Sequence, residues 1–228
     1  MGLLVSSGTA GRTRVAQLTV ARLIDVASVG HSWAGTRVLV RADLNAPLAD
    51  GTVTDEARIA ASVPTIRHLL DAGAAVAVCS HLGRPKGMVV AELSLSPCAE
   101  RLSDLLGQPA ELLPDCVGDA VNDRVAALEP GQVVVLENLR FHVGEEANDA
   151  GFAAQLASGF THYVNDAFGA AHRAHASTEG VARLLPACAG LLMAREVEVL
   201  TGLLDRPVSP FVAVLGGAKV SDKLPLIE

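Results

Sequence analysis

The chain has 228 residues, half of them apolar, enough for one large domain or one domain with part of a second. A net charge of −7 excludes a general nucleic-acid surface, which needs a basic face, and aromatic residues at 3% leave no stacking platform for single strands. No segment offers the ~20 consecutive apolar residues of a membrane helix. Cys79, Cys98, Cys116 and Cys188 form no Cys-x-x-Cys pair and have no histidine at zinc-ligand spacing, so they read as reduced thiols of a cytoplasmic protein without a metal site.

In chain order, residues 1–17 read as a disordered extension. An apolar run at Val38 to Val40 then ends in Arg41-Ala42-Asp43-Leu44-Asn45. A helix opens after Asp55-Glu56, with Ile59, Val63, Ile66 and Leu70 as its core face, a kink expected at Pro64, and Gly73 to close it. The next run, Ala75 to Cys79, ends in Ser80-His81-Leu82-Gly83-Arg84. Ser96-Pro97 reads as an N-cap with proline at the first helical position, followed by Leu102, Leu105 and Leu106 and then Gly107.

Val133 to Leu136 runs into Glu137-Asn138-Leu139-Arg140, and a helix starting near Asn148-Asp149 should bury Phe152 and Leu156. His162 to Val164 runs into Asn165-Asp166, a polar loop follows through His175, and a helix should be capped near Ser177 or Thr178. Leu191 to Leu204 reads as a longer helix stopped by Pro207, and Phe211 to Leu215 as a fifth strand ending in Gly216-Gly217-Ala218-Lys219. This alternation predicts an α/β fold with a doubly wound, Rossmann-like parallel sheet. The predicted division is a first lobe over 18–188, a connecting helix over 189–207, and the start of a truncated second α/β lobe over 208–228.

In such sheets ligands bind beyond the carboxyl ends of the strands, where this sequence places its arginines and histidines. Arg58, Arg84, Arg140 and Arg173 come from four segments, and four guanidinium forks at one rim would repel one another without an anion between them. His81 shares a loop with Arg84, and His172 precedes Arg173; neither has a partner at triad spacing. Asp43 and Asn45 alternate around Leu44, so they either face a small hydroxy acid together or make an Asx turn before Pro47. Lys219 and Lys223 stack on one face of a helix opened by Gly216-Gly217, an arrangement suited to polyphosphate.

Taken in order, Arg41-Ala42-Asp43-Leu44-Asn45-Ala46-Pro47, Ser80 through Gly87, Leu136 through Phe141, Val164 through His175, and Gly216 through Lys223 resemble the motifs of the phosphoglycerate kinases. The resemblance implies phosphoryl transfer between ATP, bound as its magnesium complex, and the carboxylate of 3-phosphoglycerate, giving 1,3-bisphosphoglycerate and ADP. It assigns Asp43 and Asn45 to the hydroxyl and carboxylate end of the substrate, and His81, Arg84, Arg140 and Arg173 to its phosphate. It gives Arg58 and Lys219 the transferring phosphoryl group, and Gly216, Gly217 and Lys223 the nucleotide phosphates. It also implies a monomeric enzyme considerably longer than this chain, so the 228 residues are expected to be a fragment, inactive alone. The alternative is a stand-alone anion-binding or regulatory half-protein.

Overall fold

The computed structural model describes residues 24–30, 32–205, 207–212 and 214. The first predicted segment, 1–17, lies outside them. In chain order the elements are β1 (Arg37–Arg41), the two-residue strands β2 (Leu48–Ala49) and β3 (Thr52–Val53), α1 (Ala57–Asp71), β4 (Ala75–Cys79), α2 (Ser96–Leu106), β5 (Ala110–Leu112) and α3 (Asp119–Ala126). They continue with β6 (Val133–Val135), α4 (Val143–Glu146), α5 (Ala150–Ala157), β7 (His162–Asn165), α6 (Phe168–Ala171), β8 (Ala187–Ala189) and α7 (Leu191–Asp205). Contacts divide the chain into two compact units, Arg22–Val197 and the remainder.

Six strands of the first unit form one parallel sheet in the order β5-β6-β4-β1-β7-β8, while β2 and β3 make a small antiparallel hairpin. Strand alternation splits the core into two layers. Val38, Val40, Val76 and Val78 face a layer with Ile59, Ile66 and Leu69 of α1 and Leu102 of α2. Leu39, Ala77, Cys79 and Tyr163 face the other, with Val121 and Val125 of α3 and Phe152 and Leu156 of α5. Helices on both faces make the sheet doubly wound, as the alternation predicts. Each such leucine, isoleucine or phenylalanine contributes roughly 1.5–3 kcal/mol by leaving water.

The buried stripe of α1 is Ile59, Ser62, Thr65, Ile66 and Leu69, so the helix is turned from the predicted face and leaves Val63 and Leu70 half-buried. Pro64 sits on its exposed side, where the missing backbone donor costs least in packing. Gly73 closes it at φ +84°, its amide bonded to the Leu70 carbonyl at 2.9 Å. α2 begins at Ser96 itself, with Leu95 in the capping place and Gly107 closing at φ +69°. Asp149 caps α5 by accepting from the Phe152 amide at 2.7 Å.

After His175 the expected helix is only one π turn, Ala176–Gly180, and one 3-10 turn, Val181–Arg183. The N-cap is His175 in place of the expected Ser177 or Thr178, and Thr178 takes the third position of a capping box, its hydroxyl accepting from the His175 amide at 3.1 Å. Of the fifth predicted strand, Phe211, Val212 and Val214 are exposed and lie in no strand, while the rest is outside the described residues. The short edge strands β5 and β8 are not evident in the sequence because neither carries a long apolar run.

Candidate functional site

Strands β1 and β7 are neighbours, and from β1 the chain continues to β4 on one side while from β7 it continues to β8 on the other. Such a reversal opens a crevice beyond the strand ends. Here the crevice is a cavity of about 590 Å³, lined among others by Asp43, Asn45, Arg58, His81, Asp166 and Arg173. The segment after β1 is held open by Ser80, whose hydroxyl accepts from the Leu44 amide and donates to the Ala42 carbonyl, both at 2.9 Å. Asp43 Oδ1 accepts from the Asn45 amide at 3.2 Å, so the Asx turn forms, and both side chains still reach the cavity. Asn45 Oδ1 accepts from the Gly83 amide at 2.9 Å.

Arg58, in the first turn of α1, donates to Asp43 Oδ2 at 2.6 Å. Arg173 lies after α6, exposed, with its Nε 3.3 Å from His172 Nε2. His81 is buried at the end of β4, its Nδ1 2.9 Å from Arg41 Nη2. A guanidinium can only donate, so His81 Nδ1 accepts and the ring proton sits on Nε2. Burial, then the charges of Arg41, Arg140 and Arg173, push the His81 pKa down to about 2, so the ring is neutral and offers one N–H donor.

Of the predicted anion ligands, Arg84 and Arg140 do not line this cavity. Arg84 is exposed on its loop. Arg140 is buried, donates to the Gly83 carbonyl at 2.8 Å, and keeps its Nε 3.2 Å from a Glu146 oxygen, close enough for charge attraction but outside hydrogen-bond geometry. Burial lowers its pKa, with Arg173 and Arg41 adding to the effect. Gly83 adopts φ +61°, and a Cβ there would lie 2.8 Å from Leu93, so glycine suits both the turn and its packing. Gly216, Gly217, Lys219 and Lys223 lie outside the described residues.

Beneath the cavity lies a network that the sequence motifs do not reveal. Arg41 is 1% exposed; it donates from Nε to Ser177 Oγ at 2.9 Å and from Nη1 to the Ala42 carbonyl. Ser177 in turn donates its hydroxyl at 2.6 Å and its amide at 2.9 Å to the fully buried Glu145 carboxylate, and Tyr163 donates to the Ser177 carbonyl at 2.6 Å. One signal does exist in the sequence: residue 41 has the parity of Leu39, which faces the second core layer, so an arginine there needs a buried partner. Asp166 is a further site residue without a predicted role. Its Oδ1 accepts from the Leu192 and Met193 amides at 3.0 and 3.2 Å, capping α7 from another segment. Burial raises its pKa to about 6, and its Oδ2 has no hydrogen-bond partner, although the nearby Thr65 hydroxyl favours the charged form. A Cβ on Gly190 would fall 2.0 Å from Asp166 Oδ1, so only glycine admits this cap.

The cavity thus gathers cationic and neutral donors from Arg58, His81 and Arg173 beside acceptors from Asp43 and Asn45, a set suited to a small anion that also carries a hydroxyl. Comparison with known proteins points the same way. The phosphoglycerate kinase family model matches residues 29–228. The phosphoglycerate kinase of Moorella thermoacetica is 61% identical over 192 residues, 84% of this chain and 49% of the relative, and that of Rippkaea orientalis is 55% identical over 196 residues, 86% of this chain and 49% of the relative. The solved phosphoglycerate kinase of Coxiella burnetii superposes with a TM-score of 0.79 at 40% identity, over 90% of this chain and 51% of that one. That of Pyrococcus horikoshii superposes with a TM-score of 0.78 at 36% identity, over 86% and 50%. The chain spans about half the length of the curated relatives it matches. With motifs, sheet order and site in agreement, the chain belongs to the phosphoglycerate kinase family.

Proposed function

We propose that this chain supplies the phosphoglycerate-binding half of a cytoplasmic, monomeric phosphoglycerate kinase, which moves a phosphoryl group between ATP and the carboxylate of 3-phosphoglycerate. The observation that carries the reading is the convergence of Asp43, Asn45, Arg58, His81 and Arg173 on one cavity at the sheet's reversal point. Asp43 accepts from the substrate hydroxyl, and the Asn45 amide donates to the carboxylate end. The phosphate is held by Arg173 and by the His81 Nε2–H, with Arg140 behind them and Arg84 closing from its exposed loop.

Arg58 neutralises charge on the transferring phosphoryl group. Phosphoryl transfer needs little covalent help from protein, so positioning and charge stabilisation carry most of the catalysis. Before Arg58 can do this, its bond to Asp43 has to yield, which couples the two: the substrate hydroxyl occupies Asp43 as Arg58 is released to the anion. Lys219 joins Arg58 at the phosphoryl group, and Gly216, Gly217 and Lys223 meet the nucleotide phosphates. Magnesium enters as part of the nucleotide substrate. The lobe spans 18–188, with 189–207 as the connecting helix and 208–228 opening the nucleotide lobe, so turnover belongs to a protein that also carries a counterpart of the relatives' other half. Nothing favours the alternative of a stand-alone regulatory protein.

Calorimetric titration of the 228-residue chain with 3-phosphoglycerate tests the assignment. Binding should be weak, saturable and lost in Arg173→Ala, while ATP should give no comparable heat. Tight ATP binding, or phosphoglycerate binding untouched by Arg173→Ala, would overturn these roles.

A further inference from the structure

Away from the anion cavity, the ends of β5 and β6 bring together three side chains that the proposed reaction does not use. Asp115 and Cys116 follow β5, and His142 follows the single 3-10 turn Leu139–Phe141 after β6. One donor atom from each, a carboxylate oxygen, the Cys116 sulfur and a His142 ring nitrogen, lies within 4.8 Å of the other two. Backbone bonds fix the two loops: the Leu113 amide donates to Val135 at 2.8 Å and the Glu137 amide to Asp115 at 3.3 Å. The His142 ring is stacked on Phe152, with centroids 5.2 Å apart and planes 30° apart.

The contact between His142 Nε2 and Asp115 Oδ1, at 2.6 Å, would by itself be an ordinary ion pair. The buried Cys116 thiol meets the same Asp115 carboxylate, so three donors of different type converge on one point. A nucleophilic cysteine does not fit, because burial and the adjacent Asp115 push the Cys116 thiol far above its ordinary value, and Asp115 holds the very nitrogen that a base would use. Ligands of a tetrahedral zinc-class ion stand about 3.4 Å apart, given bond lengths near 2.0–2.3 Å. The cluster reaches that arrangement by opening the Asp115–His142 contact slightly and drawing in the sulfur. The side chains of Asp115 and His142 are 47% and 32% exposed, which gives an ion a way in.

We propose that Asp115, Cys116 and His142 form a binding site for a borderline-soft divalent cation of the zinc class, with three protein donors and a fourth position left to water. The thiol proton passes to solvent as the ion binds, since a coordinated thiol is held as thiolate. A mixed sulfur, nitrogen and oxygen set disfavours magnesium and calcium, which seek oxygen alone. The bound ion ties the loop after β5 to the turn that carries Arg140, two residues before His142. Sequence spacing concealed the set because His142 lies far from Cys116 along the chain.

The test is titration of the reduced, chelator-treated and tag-free chain with cobalt(II). One equivalent should produce a thiolate-to-cobalt band in the near ultraviolet, zinc should abolish it, and excess magnesium should not. Cys116→Ser should remove the band, His142→Ala and Asp115→Ala should each weaken binding about tenfold or more, and Cys188→Ser should change nothing. The proposal fails if no band appears, if the band survives Cys116→Ser, or if cobalt affinity is unchanged in His142→Ala. Should Cys116→Ser not fold, the two partly exposed positions decide the matter, because neither belongs to the core.

Discussion

Asp166→Asn offers a direct measurement of what a buried charge costs at the edge of the cavity. The carboxyl titrates near 6 in the folded chain against an ordinary value of 3.8. Between those values the native state keeps a proton that the unfolded chain has released, so stability falls as pH rises through the window and levels off above it. At about 1.4 kcal/mol per pH unit the total is about 3 kcal/mol. The N-terminus of α7 opposes this by favouring the ionised cap, but by only ~0.3–2 kcal/mol. Burial therefore prevails.

Asparagine keeps an oxygen for the Leu192 and Met193 amides and removes the charge. Its NH2 group inherits the unpartnered place of Oδ2, at a fixed cost of roughly 1–3 kcal/mol. That offset does not vary with pH. The quantity to follow is the difference in unfolding free energy between variant and parent, from urea titrations at steps from pH 4 to pH 8, where other titrating groups cancel. It should move in favour of the variant by about 2.4 kcal/mol between pH 4 and pH 7, the rest of the total lying below pH 4. A difference that stays flat, or moves the other way, would show that Asp166 ionises in the fold without penalty and that the burial argument is wrong.

On the proposed assignment, in a protein that also carries a counterpart of the relatives' other half, Arg58→Ala should lower kcat by a factor on the order of 10³ with a much smaller loss of phosphoglycerate affinity, and equal losses in both would contradict a role confined to the phosphoryl group. Arg140→Ala should destabilise the chain itself by ~1–3 kcal/mol in urea unfolding, because it strips the part-buried Gly83 carbonyl of its donor; an unchanged midpoint would refute this. Glu145→Gln should cost ~3–5 kcal/mol by leaving Arg41 uncompensated in the interior, and combining it with Arg41→Met should cost less than the sum of the two. Additive losses would show that the pair is not coupled through Ser177. By nitrogen NMR, His81 should remain a neutral Nε2–H ring from pH 8 to pH 5, and a titration near pH 6.5 would contradict the Arg41 contact.

The parallel sheet and its two helical layers were legible in the chain because apolar runs such as Ala75 to Cys79 and the helical spacing of Ile59 and Ile66 record local periodicity, which burial on both faces imposes directly. The strand-end residues Asp43, Asn45, His81 and Arg173 were legible for a related reason: a parallel sheet sends all such ends to one edge. Four matters were settled only in three dimensions. Which guanidinium groups face the cavity depends on packing, and Arg140 is drawn inward by the Gly83 carbonyl while Arg84 stays outside. The Arg41–Ser177–Glu145 network joins residues 136 positions apart, a pairing no local pattern encodes. Asp166 caps a helix that begins 25 residues later, since Gly190 leaves room for its carboxylate. His142 reaches Cys116 because β5 and β6 are neighbours in the sheet. Sequence patterns report which residues are buried, whereas the partners of a buried charge are set by strand order, and strand order belongs to the folded chain alone.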